Sequence, residues 1–345
     1  MIKILITGNK GYIGAELSKY LKSKYKKKVY IIGYDLNLFK GCEFLKDKSI
    51  DKQIIGDVRK INAKELNKID YVIHLAAISN DPMGNLFEKV THEINFKASE
   101  RLAKISNQKN IKKFIFASSC SVYGLQGKLK KKENSALAPL TAYAKSKILS
   151  EKSFSRIKSK NTKYISLRFA TACGVSDMLR LDLVLNDFVT SANFKKKIEI
   201  LSNGKPWRPL ITVEDMCKAI DWSIFELDTK EKISVFNVGS NEWNFRVKDI
   251  AYEVKKAFKN VKIKINNDSP DDKRSYKVDF TKYKKLSKSY YPSKKILDEI
   301  LKLKKMIKNK KDLKDFRSSK YIRLNHLKNL INKDKLSKNI IWKEK

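Results

Sequence analysis

The stretch Ile2-Lys-Ile-Leu-Ile-Thr-Gly8-Asn-Lys-Gly11-Tyr-Ile-Gly14 predicts the fold of the chain. Its first five residues form an apolar run typical of a buried strand, and a helix is expected from about Ala15 to Tyr25. Strand, glycine turn and helix together suit a phosphate group. Glycine lets the backbone approach a pyrophosphate, and the helix N-terminus offers free N–H groups to it. Gly14 lets the helix lie close against the strand.

The next predicted strand, Val29–Gly33, is followed by an acidic residue, Asp35. It lies about twenty residues beyond the glycine loop, which is the spacing of a ribose-binding acid in dinucleotide-binding folds. A carboxylate at this place can hydrogen-bond a ribose diol, and it repels a 2′-phosphate. The sequence therefore favours NAD over NADP.

Later apolar runs predict further parallel strands at Gln53–Gly56, Tyr71–Ala77, Phe114–Ala117 and Tyr164–Arg168. Asp57 and Val58 follow the first of these runs and could meet an adenine ring or form a simple strand-end turn. Ser119 and Ser121 follow the third run. Open α/β sheets bind their ligands at the carboxyl ends of the strands, so these serines are candidate ligand contacts.

The pentapeptide Tyr143-Ala-Lys-Ser-Lys147 places a phenol and an ammonium group on one helix face, one turn apart. A phenol titrates at about pH 10, so a tyrosine that acts as a base near neutral pH needs positive charge beside it. We expect Lys147 to lower the pKa of Tyr143. An isolated pair with this spacing is usually an ordinary surface helix, but this pair follows a glycine loop and a serine-bearing strand.

The composition is that of a globular protein, because 42% of the 345 residues are hydrophobic. One or two domains are expected. The four cysteines show neither metal-ligand nor disulfide spacing, so we expect no metal. We also expect a reducing environment and therefore a cytoplasmic location. No stretch approaches the length of a membrane span, and we therefore expect no membrane partner.

The formal net charge of +39 comes mostly from lysine, because only ten of the 76 basic residues are arginines. The lysines are spread over the chain without interleaved aromatic residues, which favours a solvated surface. We therefore expect no nucleic-acid partner. Binding to DNA remains an alternative, and it would depend steeply on salt concentration.

In their order along the chain, several motifs resemble those of the extended short-chain dehydrogenase/reductases. More narrowly, they resemble the NAD-dependent epimerase/dehydratase group that acts on nucleotide sugars. The motifs are Gly8-x-x-Gly11-x-x-Gly14, Asp35, Asp57-Val58, His74-Leu-Ala-Ala77, Ser118-Ser119-x-x-Val-Tyr-Gly124 and Tyr143-x-x-x-Lys147. The resemblance extends from residue 1 to about residue 285. It implies an α/β fold with a Rossmann-type doubly wound parallel sheet, NAD as cofactor, a nucleotide-diphosphate sugar as substrate, and a homodimer.

The resemblance also implies three sets of site residues. The catalytic residues are Ser119, Tyr143 and Lys147. The cofactor-binding residues are Gly8, Gly11, Tyr12, Ile13, Gly14, Asp35, Asp57, Val58, Leu75, Ala76, Ala77, Tyr143 and Lys147. The substrate-binding residues are Ser79, Asn80, Ser119, Ser121, Asn186, Arg208 and Arg274. The two arginines suit a diphosphate, because a guanidinium group forms bidentate, charge-assisted hydrogen bonds with it.

Three regions are predicted. Residues 1–170 form the NAD-binding Rossmann domain, to which residues 210–240 return. Residues 171–285 form a smaller substrate lobe, and residues 286–345 form a Lys-rich helical extension. In the extension, Ile296, Ile300, Leu303 and Ile307 recur at helical spacing. The extension could dock on the body, cap the substrate cleft or contribute to a dimer.

In the reaction that the family implies, Tyr143 accepts a proton from a sugar hydroxyl while the carbon passes a hydride to nicotinamide. Dehydratases of the family carry an Asp-Glu pair where this chain has Cys120 and Ser121, so a 4,6-dehydratase is disfavoured. An epimerase is expected ahead of a ketosugar reductase or dehydrogenase, because NAD suits a cofactor that is reoxidised within one turnover. The alternative of another class is a non-catalytic NAD-binding protein, which would usually have lost Tyr143 or Lys147.

Overall fold

The structure is a computed structural model that describes residues 1–44, 49–124, 129–159, 161–269 and 275–343. Seven of the strands in these ranges form one sheet, and the other five form two small sheets. The strands are β1 Ile2–Thr7, β2 Val29–Asp35, β3 Lys52–Ile55, β4 Tyr71–His74, β5 Lys113–Ser119, β6 Lys163–Phe169, β7 Thr171–Cys173, β8 Lys197–Ile200, β9 Trp207–Thr212, β10 Ile233–Val238, β11 Asn244–Arg246 and β12 Lys262–Ile265.

The central sheet has the strand order β3-β2-β1-β4-β5-β6-β10, and all of its strands run parallel. The chain begins at β1 in the middle of the sheet, runs to one edge, and then returns past β1 toward the other edge. This is the Rossmann arrangement, so the predicted doubly wound parallel sheet is confirmed. The direction of winding reverses between β1 and β4, and a crevice opens there at the carboxyl ends of the strands.

Helices cover both faces of this sheet. In the described ranges they are α1 Tyr12–Tyr25, α2 Asp81–Leu86, α3 Glu88–Thr91, α4 Ala98–Gln108, α5 Ala142–Ser155, α6 Val184–Lys195, α7 Val213–Asp221, α8 Val247–Lys256, α9 Thr281–Ser287, α10 Ile296–Ile307 and α11 Arg323–Asn332. Helix α1 begins ahead of its predicted start at Ala15, because Gly11 is extended and already acts as the N-cap. No helix of the described ranges has the length and apolar character needed to cross a membrane.

The core lies in two apolar layers, one on each face of the sheet. Strand β1 contributes Ile4 and Ile6 to one layer and Leu5 to the other, as the two-residue period of a strand requires. All three side chains are fully buried. Strand β5 divides in the same way, with Ile115 in the first layer and Phe114 in the second. The residues of the apolar runs that predicted these strands therefore form the buried layers on the two faces of the sheet.

The second half of the chain contributes to both the central sheet and the small ones. Strand β10 pairs in parallel with β6 and forms the far edge of the main sheet. Strands β11, β9 and β7 form one small sheet, and β12 and β8 form the other. Helices α10 and α11 lie within residues 286–345, the predicted helical extension. The exact domain boundaries stay a prediction.

Candidate active site

The loop after β1 is shaped by two glycines. Gly8 has a φ of +77°, in the left-handed region, and a Cβ there would lie 2.6 Å from the backbone nitrogen of Ala76. A Cβ on Gly14 would lie 2.4 Å from the carbonyl oxygen of Gly8. Helix α1 starts directly after Gly11, and this N-cap residue has no side chain that could cap the first N–H groups. The loop therefore leaves a backbone cradle at a helix N-terminus, which fits the pyrophosphate of a dinucleotide.

Asp35 ends β2 beside this loop. Its carboxylate accepts hydrogen bonds from the backbone N–H groups of Lys10, at 3.0 Å, and Asn37, at 2.7 Å. Burial raises the pKa of Asp35, and the two hydrogen bonds oppose that rise. The carboxylate is thus held in a fixed orientation at the edge where a ribose of NAD would lie.

Asp57 follows β3 and is paired within its own turn. Its carboxylate accepts the backbone N–H of Arg59 at 2.9 Å and lies 2.5 Å from Nη2 of the same arginine. In the structure, the carboxylate of Asp57 therefore stabilises a turn at the end of the strand, which is the second of the two interpretations given above. Asp57 and the buried Val58 nevertheless line the same cavity as Asp35.

Helix α5 carries Tyr143 and Lys147 and is fixed at its start by a cap. The hydroxyl of Thr141 accepts the backbone N–H of Ala144 at 3.2 Å and donates to the Asp81 carboxylate at 2.7 Å. The phenol of Tyr143 is hydrogen-bonded to Ser119, at the end of β5. Lys147 lies one turn further on, with Nζ 5.5 Å from the centre of the Tyr143 ring.

The electrostatics differ from the sequence-based expectation. Burial raises the pKa of Tyr143 to about 12, and only the Ser119 hydrogen bond and the charge of Arg180 oppose that rise. Burial also lowers the pKa of Lys147 to about 7, against the attraction of Glu151. In the protein alone the pKa of Tyr143 is therefore not lowered, because desolvation disfavours the charged form of each group. That Lys147 favours the phenolate of Tyr143 stays a prediction.

A buried ion pair holds α5 against the sheet. Nη2 of Arg168, on β6, lies 2.7 Å from the carboxylate of Glu151, on α5. The same carboxylate accepts a hydrogen bond from Ser118, next to Ser119 on β5. Lys147 itself donates to the carbonyl oxygen of Ala117 at 2.7 Å. Strands β5 and β6 thus fix the position of helix α5.

One cavity of about 1040 Å³ unites most of the predicted site. The predicted residues that line it are Gly8, Gly11, Tyr12, Ile13, Gly14, Asp35, Asp57, Val58, Leu75, Ala76, Ala77, Ser79, Asn80, Ser119, Ser121, Tyr143, Lys147 and Arg208. Such a volume is at the upper end of the range for small-molecule sites and suits two large ligands lying end to end.

The substrate side of the cavity is only partly as predicted. Ser121 lines it, and its buried hydroxyl has no hydrogen-bond partner within the described ranges. Asn186 is fully buried and is not among the described residues that line the cavity. Its amide accepts the backbone N–H of Gly174 at 2.9 Å and donates to the Tyr12 hydroxyl at 3.0 Å. These internal hydrogen bonds occupy the amide of Asn186 in the protein alone, and its contact with a nucleotide stays a prediction.

The two predicted arginines have different outcomes. Arg208 lies on β9, lines the cavity, and donates to the carbonyl oxygen of Trp207 at 2.9 Å. Arg274 lies outside the described residues.

Sequence reasoning missed a buried charged group, Arg180, that lines the same cavity as Tyr143. Nη2 of Arg180 lies 2.7 Å from the carboxylate of Asp182, and Nη1 donates to the Ser79 hydroxyl at 3.0 Å. Asn80 donates to the same carboxylate at 2.6 Å. The only signal in the sequence is the Arg-Leu-Asp triplet before the apolar run of α6. Nothing in that spacing indicated burial.

Comparison with known proteins agrees with this geometry. The sequence profile of the NAD dependent epimerase/dehydratase family matches residues 4–239. The "uncharacterized UDP-glucose epimerase YtcB" of Bacillus subtilis (strain 168) is 31% identical over 233 residues, which cover 64% of this chain and 71% of that protein. The dTDP-D-glucose 4,6-dehydratase of Dictyostelium discoideum is 29% identical over 266 residues, which cover 69% of this chain and 58% of that protein.

Among solved structures, the UDP-glucuronic acid 4-epimerase of Bacillus cereus in complex with UDP-glucuronic acid and NAD has a similar fold. Its TM-score is 0.74 at 23% identity, over 89% of this chain and 99% of that one. The fold and the Tyr143–Lys147 pair thus define an enzyme of the extended short-chain dehydrogenase/reductase class. The chain belongs to the NAD dependent epimerase/dehydratase family, and the predicted cofactor, NAD, is confirmed.

Proposed function

We propose that the protein is an NAD-dependent nucleotide-sugar epimerase that works through a transient ketosugar. The observation that carries the proposal is the group of Ser119, Tyr143 and Lys147, which opens into the same cavity as the glycine loop. A proton-transfer group and a dinucleotide cradle must share one cavity if a hydroxyl-bearing carbon is to be oxidised. The names of the relatives make UDP-sugars the first substrates to test.

The residues present fit NAD. The backbone around Gly8 and Gly11 would hold the pyrophosphate, Asp35 the adenosine ribose and Lys147 the nicotinamide ribose. When bound, NAD supplies the chemistry of accepting a hydride and returning it. Ser119 would hydrogen-bond the oxygen of the reacting hydroxyl, and Tyr143 would take its proton.

Tyr143 and Lys147 can share the proton that this step requires. With a pKa of about 7 at Lys147 and about 12 at Tyr143, the pair has lost one proton at slightly alkaline pH. The remaining proton lies mainly on Tyr143, whose pKa is the higher of the two, and the form with this proton on Lys147 is a minor one. The phenolate–ammonium form of this state is the one in which Tyr143 accepts a proton. A negatively charged phenolate beside Ser119 and Arg180 is then the base.

The residues after Ser119 favour epimerisation over elimination of water. Cys120 is buried and donates to the carbonyl oxygen of Arg168 at 3.1 Å. Burial raises the pKa of this thiol, so it is neutral at physiological pH. Ser121 is a hydroxyl without acidic character. A 4,6-dehydratase would need an acid and a base at these positions, by the family resemblance given above.

Arg208 and Arg274 are proposed to hold the diphosphate of the substrate. A guanidinium group is suited to this role by its fork of N–H donors. The cytoplasmic location and the homodimer remain predictions.

The test is to incubate the full chain and NAD with a panel of nucleotide sugars and to follow each sugar by NMR. An epimerase inverts one carbon, retains the hydrogen on that carbon and leaves no net NADH. Net NADH formation would instead identify a dehydrogenase, and solvent hydrogen together with loss of a hydroxyl would identify a dehydratase. Tyr143→Phe is the inactive control, and Tyr252→Phe, at a half-exposed tyrosine, is the matched active control.

A further inference from the structure

Arg323 is a buried cation that the C-terminal part of the chain brings to the cavity. It is the first residue of α11, it is only 2% exposed, and it lines the same cavity as the glycine loop. The family profile ends at residue 239, so this arginine lies outside the matched region. Its role therefore has to be argued from its own contacts.

The guanidinium of Arg323 is in contact with Met178, Phe39 and the thiol of Cys42. Nη2 donates to the carbonyl oxygen of Met178 at 2.7 Å, and the group lies 4.4 Å from the centre of the Phe39 ring. Nη1 is buried and has no hydrogen-bond partner in the described part of the chain. Burying a charge without a partner is costly, so a ligand anion would relieve that cost.

The surroundings of Arg323 do not supply such an anion. Burial lowers the pKa of Arg323 to about 10, and its charged neighbours are Cys42, Arg180 and Asp182. The Asp182 carboxylate is already bound by Arg180 and by Asn80. Burial keeps the Cys42 thiol neutral by raising its pKa. Arg323 is therefore still positively charged at neutral pH, and no carboxylate of the described residues forms an ion pair with it.

The position of Arg323 indicates which ligand it faces. Phe39 follows Asp35, the residue at the ribose side of the cofactor cradle. Met178 packs with Ala15, in the first turn of α1, and with Cys42. The guanidinium thus enters the cavity between the ribose side and the start of α1. This is where the pyrophosphate of a dinucleotide lies on a helix N-terminus.

The path of the chain explains why Arg323 reaches this place. Residues up to Tyr321 pack in the apolar layer on one face of the sheet, and Leu327 packs in the layer on the other face. The segment between them, Ile322 and Arg323, passes the cavity and lines it. Because the chain passes from one face of the sheet to the other at this point, the guanidinium of Arg323 lies on the cofactor side of the cavity.

We propose that the guanidinium of Arg323 binds the pyrophosphate of NAD, which makes the C-terminal helix α11 part of the cofactor site. The inference rests on the proposed use of NAD at the glycine loop. The diphosphate of a nucleotide sugar has the same chemistry, but Phe39 and Met178 place Arg323 on the dinucleotide side.

The experiment is to titrate NAD, adenosine and UDP separately into nucleotide-free full-length protein by calorimetry. Arg323→Gln removes the charge, Arg323→Lys keeps it, and Lys328→Gln removes an exposed charge from the same helix. We expect Arg323→Gln to weaken NAD binding about 10- to 100-fold, as loss of a charged hydrogen bond predicts. Adenosine, which lacks phosphate, should bind all variants alike. Arg323→Lys should fall between wild type and Arg323→Gln.

A second measurement separates binding from folding. Without NAD, the Tm of Arg323→Gln should equal or exceed that of the wild type, because an unpaired buried charge has been removed. The rise in Tm on adding NAD should be smaller in this variant. Unchanged NAD affinity in folded Arg323→Gln would overturn the proposal, as would a loss confined to UDP. A wild type that binds NAD but epimerises no sugar would overturn the proposed function and leave this inference intact.

Discussion

Two regions of the molecule line one cavity and arrive there by different routes. Residues 1–155 bring the glycine loop, Asp35 and the Tyr143 helix, each positioned by short-range geometry such as a turn, a strand end or a helical repeat. Residues 296–343 bring Arg323 through packing against elements far away in sequence. The site residues of the first region can be predicted from residue spacing in the sequence, whereas the role of the second region is visible only from contacts in the structure.

Several such contacts anchor the C-terminal region, and three of them illustrate how. The carboxylate of Glu299 accepts the backbone N–H of Val175 at 2.9 Å, and Nε1 of Trp342 donates to the Leu36 carbonyl oxygen at 2.8 Å. Arg323 contacts Met178 between them. Each contact joins the tail to a loop at the carboxyl-terminal edge of the central sheet. The comparison suggests that chemistry is concentrated in the first region, and that the second supports cofactor binding and stability. Four predictions test this division.

The largest expected effect is that of Tyr143→Phe. Loss of the proton acceptor should lower kcat by about 10²- to 10⁴-fold, the usual contribution of a positioned acid–base group. The Kd for NAD should stay close to that of the wild type, because the glycine loop is untouched. The measurements are epimerisation by NMR and NAD binding by calorimetry. Normal turnover in this variant would show that Tyr143, in the first region, is not the proton acceptor.

The second effect concerns pH. Tyr143 cannot accept a proton while both it and Lys147 are protonated, so kcat should rise as pH increases through about 7, the pKa of Lys147. Lys147→Met should abolish this step in the pH profile and lower kcat by about 10²-fold. Lys145→Met, at an exposed lysine of the same helix, should retain the wild-type profile. A flat wild-type profile between pH 6 and 9 would contradict the shared-proton interpretation.

A smaller effect is expected from Asp35→Ala, which tests cofactor choice in the first region. Removing the carboxylate removes both a ribose hydrogen bond and the repulsion of a 2′-phosphate. The ratio of the Kd values for NADP and NAD should fall by about 10-fold, roughly the contribution of one charged hydrogen bond. Competition binding with both dinucleotides measures this ratio. Unchanged discrimination would show that Asp35 is not the ribose ligand.

The smallest effect on turnover is expected from Glu299→Ala in the C-terminal region. Glu299 is 3% exposed, and its loss leaves the Val175 N–H buried without a partner. Urea unfolding should show a loss of about 1–3 kcal/mol, while kcat stays near the wild-type value. Glu299→Gln keeps an acceptor and should lose less stability. A large fall in kcat with unchanged stability would mean that the tail takes part in chemistry.

The electrostatic environment shows where sequence reasoning stops. The Tyr143–Lys147 spacing correctly indicated that the two groups are neighbours, but it could not give their pKa values. Burial raises the one and lowers the other, and burial is decided by every segment that packs around the site. Asn186 is a similar case, because its amide is occupied by Gly174 and Tyr12, which no local pattern connects to it.

The sequence by itself determined the order of the first six strands, the glycine cradle, the acidic residue at the end of β2 and the Tyr143–Lys147 pair. These features depend on residue periodicity and on spacings of a few residues, which backbone geometry converts directly into structure. Only the tertiary structure decided that Arg180 shares a cavity with Tyr143, that Asn186 is buried and that Arg323 reaches the cavity. Such contacts join residues far apart in the chain, because the apolar layers on both faces of the sheet select which distant segments meet.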